Sequence, residues 1–141
     1  MTLTDPEFIR AFEDCTLPGE LFRHREHVRL AWLVLRATDP DHEAAERRME
    51  ELIRRYAGHL GASTKYHHTL TLFWMREVAA ARRRVPTALT FDAFVAARPD
   101  LLDKTLVQRH YSLGRIESAE ARAGWVEPDL RSLDARATIE A

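Results

Sequence analysis

A single cysteine, Cys15, excludes an internal disulfide bond and a thiolate metal cage. With no histidine beside it to activate the thiol, it reads as a small buried hydrophobe. Long apolar runs are also missing. The longest, Leu30 to Leu35, falls far short of the ~20 residues that span a bilayer. Met1 to Arg10 carries Asp5 and Glu7 and no apolar signal core, so a cytoplasmic protein is expected. Neither sign of charge dominates. The 21 basic and 22 acidic residues exclude a globally basic nucleic-acid binder. Only Lys65 and Lys104 are lysines, and this arginine skew, with abundant alanine, matches the coding bias of a GC-rich bacterial genome. Glycine-rich phosphate loops, nucleophile elbows and dinucleotide fingerprints are absent, so nucleotide-dependent chemistry has no support. No alternating β-branched run with hairpin turns is present either.

What the chain does contain is helical periodicity. At 141 residues it is long enough to bury a core as one domain, 1–141. A first helix is expected from Thr4 or Asp5 to about Cys15, with Pro6 in a tolerated first-turn position and Phe8, Ile9, Ala11 and Phe12 inward. Pro18 and Gly19 mark a turn, and a second helix is expected from about Glu20 to Ala37. After Asp39-Pro40, a third carries the stripe Ala45, Met49, Leu52, Ile53, Tyr56 and Leu60 against a Glu/Arg-rich back. Ser63 or Thr64 is the expected cap of a fourth helix, Lys65 to about Arg84. Thr90 caps a short helix through Arg98, Pro99 opens another through about Arg109, and a last short helix lies around Ser118 to Gly124. The fold class this predicts is all-α: a single-domain bundle of four main helices with short C-terminal helices packed on it. Trp125 is expected to anchor the irregular tail that follows.

Chemistry concentrates on histidine. In the second predicted helix Glu20, His24 and His27 are four and three residues apart, so they fall within one narrow arc. In the fourth, His67 shares a face with Leu70, Thr71, Trp74 and Val78, while His68 lies about 100° round. His110, before Tyr111, is a further candidate. Histidines from two helices with a carboxylate match the way bundles build metal sites, and imidazole suits a divalent transition metal such as zinc or iron. One reading therefore makes His24, His27, His67 and Glu20 metal ligands. A second makes His27 and His67 a metal-free acid–base pair, with Tyr66, Thr71, Trp74 and Tyr111 lining a small-molecule pocket. A third leaves the histidines structural, and Thr71 bonding back to its preceding turn.

The block Phe22-Arg-His24-Arg-Glu-His27-Val-Arg-Leu-Ala-Trp32, the block Lys65-Tyr-His67-His-Thr69-Leu-Thr71-Leu-Phe-Trp74, and the C-terminal Leu101-Leu-Asp103 and His110-Tyr-Ser112 carry a resemblance. Together they resemble a group of small, uncharacterised bacterial helical proteins with H-x-x-H and Y-H-x-T blocks. The similarity covers most of the chain. It implies that the two histidine blocks belong to one design, and it implies no substrate.

Two functions compete on this basis. One is a small-molecule enzyme centred on His24, His27 and His67. The other is a non-enzymatic helical module that docks a ligand or protein. A nucleic-acid role for Arg47, Arg48, Arg54 and Arg55 ranks last, because Glu46, Glu50 and Glu51 neutralise that face.

Overall fold

A computed structural model describes residues 3–133. Among them every regular element is helical and no strand occurs. No helix among the described residues is long and apolar enough to cross a membrane. The sequence predicts one domain; the contacts cluster into two compact units, Met1–Tyr66 and His67–Ala141.

In the first unit α1 (Asp5–Glu13) starts where Thr4 and Glu7 form a reciprocal capping box, Thr4 N–H donating to the Glu7 carboxylate at 2.8 Å. It ends in a Schellman motif. Cys15, at φ 56°, takes the left-handed position usually given to glycine. Its N–H donates to Phe12 O and that of Thr16 to Ala11 O. Phe8 and Phe12 are buried as expected.

Helix α2 (His24–Thr38) begins later than its periodicity suggests. Gly19–Leu21 forms a separate 3-10 turn, Phe22 and Arg23 are non-helical, and the Glu26 carboxylate accepts the Arg23 N–H at 3.1 Å. Asp41 caps α3 (His42–His59), which buries Ala45, Met49, Leu52, Ile53 and Tyr56. Leu60, the last member of the predicted stripe, lies at the C-cap and is exposed. Aromatic rings weld the unit together: Phe12 lies 4.9 Å from both Phe22 and Tyr56, and 5.3 Å from Phe8. Each such pair is worth about 0.5–1.5 kcal/mol beyond its burial. The Tyr56 hydroxyl donates to Leu17 O at 2.6 Å, fixing the loop after α1 to α3.

The second unit is led by α4 (His68–Arg84), buried from Thr69 through Val78 apart from Leu70, Arg76 and Glu77, which keep some exposure. Thr90 caps α5 (Phe91–Ala97). The helix expected after Pro99 is instead two 3-10 segments, Pro99–Leu102 and Lys104–Arg109. Asp103 divides them, because its carboxylate accepts both the N–H and the hydroxyl of Thr105. Ser112 and Ser118 cap two short helices, α6 (Leu113–Ile116) and α7 (Ala119–Ala123). Helix α7 packs on α4.

The chain beyond α7 is irregular yet closely held. Thr69 Oγ1 donates to Gly124 O at 2.7 Å and accepts the Val126 N–H at 3.2 Å. Tyr111 OH donates to Val126 O, and both Ser112 N–H and Oγ donate to the Asp129 carboxylate. Those two bonds hold the Asp129 carboxyl below the ordinary range. Trp125 meets Tyr111 edge to face, with the Arg76 guanidinium 4.2 Å from its ring centroid, so it does anchor this segment.

Candidate functional site

The late start of α2 changes the geometry expected for Glu20. It sits in the 3-10 turn, exposed, and is not on the helical arc of His24 and His27. His24 is the first residue of α2 and His27 lies one turn further in. Part of His27 retains exposure, but its Nε2 is sealed from solvent and has no hydrogen-bond partner among the described residues. The Phe22 ring lies 5.9 Å away at a tilt of 55°. Burial of the ring, with a smaller contribution from His24, drives the pKa of His27 down to about 4. At neutral pH His27 is therefore an uncharged imidazole with one nitrogen left unsatisfied. Tyr66, which closes the first unit, is buried with the Arg54 guanidinium 4.1 Å over its ring.

In the second unit His67 is not on a helical face. It is the N-cap of α4: Nδ1 accepts the Leu70 N–H at 3.1 Å. Since Nδ1 accepts, the proton resides on Nε2, which donates to Ile116 O at 2.6 Å. Both nitrogens are thus engaged inside the unit. Desolvation lowers the His67 pKa, which keeps this neutral tautomer in place. Thr71 donates back to His67 O at 2.9 Å, the local role that a mid-helix threonine commonly takes. Trp74 is buried with Phe73 edge-on at 5.0 Å. Tyr111 is buried, its hydroxyl spent on Val126 O, and burial pushes its pKa up to about 12.

Reading along the sequence singles out His110 but misses its neighbour Glu77. His110 Nδ1 faces Arg131 O at 2.9 Å and Ser132 O at 3.1 Å, so this nitrogen is a donor. Its Nε2 lies 3.5 Å from Glu77 Oε1, and both side chains are about nine-tenths buried. The His110 carbonyl also accepts Leu130 N–H, which makes His110 a clamp on the tail from both its ring and its backbone. The available signal was an acid four residues after buried Phe73, inside an otherwise buried stretch of α4. Among the described residues no three His, Cys, Asp or Glu side chains are grouped so as to hold a metal ion.

Among the described residues the first unit holds a buried imidazole nitrogen without a partner, and the second holds histidines committed to capping and tail-holding. No family model, curated protein or solved structure matches the chain.

Proposed function

We propose that the protein is a small-molecule enzyme whose reacting group is His27, acting through acid–base or hydrogen-bond chemistry on a ligand that reaches Nε2. The observation that carries this reading is the buried, unpartnered Nε2. Leaving such a group unsatisfied costs about 1–3 kcal/mol, and native structures rarely retain that cost without a use for the group. An imidazole held neutral is a weak base until an anionic ligand arrives. Such a ligand raises its pKa and lets it take up a proton. His67 is then a positioning residue for α4, and Tyr66, Thr71, Trp74 and Tyr111 shape the packing. A zinc or iron ion would draw on the same His27 nitrogen, with His24 and Glu20 as the nearest candidates in sequence. The proton-transfer reading is preferred because it needs only His27 Nε2, which lacks a partner among the described residues.

On this proposal the chain is a bacterial, cytoplasmic member of the uncharacterised helical group it resembles. Its ligand is a small molecule and not nucleic acid, which the near balance of charge supports. The experiment is a metabolite screen at pH 7 read on the His27 ring by long-range 1H–15N NMR, with His27→Gln alongside. A ligand that moves the ring resonances, takes up a proton on binding and loses affinity in the variant supports the reading. Ligands that bind the variant as well as the wild type, or a ring no ligand perturbs, overturn it in favour of a binding module with structural histidines.

A further inference from the structure

The first unit carries a second feature that does not involve His27. A groove of about 580 Å3 is lined by residues of α1, α2 and α3. That size falls within the roughly 300–1,000 Å3 typical of small-molecule sites. Ile9, Val34 and Leu52 supply apolar lining, and Asp5, Arg10, Glu13 and Arg48 supply the charges.

These charges are not equivalent. Asp5 accepts from Arg29 Nη2 at 2.8 Å and Glu13 from Arg48 Nη2 at 2.7 Å, so both acids are paired. Arg48 is further engaged by Glu51. Glu7, one turn before Arg10 on α1, spends a carboxylate oxygen on the Thr4 N–H. It acts on Arg10 only as a nearby charge. Arg10 itself is exposed, and among the described residues its guanidinium makes no hydrogen bond or ion pair. The groove therefore offers an apolar trough, acids already paired, and one cation in reserve.

We propose that this groove binds a free amphipathic anion, an alkyl carboxylate of medium chain length. The alkyl chain lies along Ile9, Val34 and Leu52, and the carboxylate meets the planar donor fork of Arg10. A partner helix fits less well, because α1 has only nine residues, a wall of roughly 13 Å.

The test titrates decanoate, below its micelle-forming concentration, into the 15N-labelled full chain, with decanol as the uncharged counterpart. Saturable shifts are expected at the groove amides. Arg10→Gln weakens decanoate about fivefold, the loss of one exposed charge-assisted contact, and leaves decanol unchanged. Ala37→Trp fills the groove from an exposed lining position and abolishes both. His27→Leu leaves decanoate binding intact, which separates this site from the reading of His27. Absence of saturable binding, binding unchanged in Arg10→Gln, or binding only to phosphatidylglycerol vesicles overturns the proposal. Because Arg10 is exposed, that variant keeps the test decisive even if Ala37→Trp fails to fold.

Discussion

His67 Nε2–H donates to the Ile116 carbonyl across 2.6 Å, tying the start of α4 to the end of α6. The same ring accepts the Leu70 N–H, so one side chain satisfies a helix terminus and a distant carbonyl together. His67→Ala removes both bonds and is expected to cost about 1–3 kcal/mol in urea unfolding. His67→Asn restores the cap but does not reach Ile116, and is expected to recover about half of that loss. Equal stability of the alanine variant and the wild type would show that the cap contributes nothing. The lowered pKa sets the pH direction. The folded form resists protonation more than the unfolded chain does, so this contribution is complete above the unfolded pKa and is lost as pH falls through the folded one.

His27 carries an opposite expectation for mutation. Its Nε2 is buried without a partner, so His27→Leu is expected to raise stability at pH 7 by about 1–2 kcal/mol. The wild type takes up this proton near pH 6.5 when unfolded and only near 4 when folded. Its stability is thus undiminished above 6.5 and falls between 6.5 and 4, by about 3 kcal/mol in all. Urea midpoints across that window should show a markedly flatter slope for His27→Leu than for the wild type. A destabilised leucine variant would mean that Nε2 has a partner in solution, such as a fixed water. Loss of function with gain of stability is the behaviour expected of a site retained for chemistry.

The two histidines differ in how far they are legible from the sequence. The α3 stripe could be read because Ala45, Met49, Leu52, Ile53 and Tyr56 follow the helical period, and local pattern decides burial on a half-solvated helix. The starts of α2 and α4 could not, and these starts control the site. Glu20 to Arg23 is compatible with helix by pattern, and the boundary is marked by the Glu26 carboxylate on the Arg23 N–H. At α4 the usual capping residues, Ser63 and Thr64, both fall within a 3-10 turn while an imidazole takes the cap. That one shift moves His67 from a predicted inward face to a terminus. The Glu77–His110 pair was illegible for a different reason: it joins residues far apart in sequence, and no local period reports such a pairing.

Thr69 provides a sharper test of how the tail is held. Its hydroxyl donates to Gly124 O and accepts the Val126 N–H, so Thr69→Val keeps the shape and leaves both groups without a partner. The expected cost is about 1–3 kcal/mol. The more specific expectation is local: faster hydrogen exchange at the Val126 amide and earlier proteolytic cleavage within 124–132, with exchange in α3 unchanged. Tyr111→Phe removes the single bond to Val126 O and should reproduce a weaker form of the same pattern. Uniform destabilisation without local opening would mean that the tail is held mainly by Trp125 and Asp129.

Metal removal separates the two chemistries that His27 could serve. Glu20 lies in an exposed turn, both His67 nitrogens are engaged, and no three candidate ligands are grouped among the described residues. Dialysis against a chelator is therefore expected to leave the thermal midpoint within 1 °C, on the order of the smallest shift a ΔΔG of a few tenths of a kcal/mol would produce. A structural metal would instead contribute folding energy directly, and its loss would lower the midpoint by many degrees. Elemental analysis of the purified protein completes the comparison. About one equivalent of zinc or iron, lost in His27→Ala and retained in His67→Asn, would make His27 a metal ligand and replace proton transfer with metal-bound water as its chemistry.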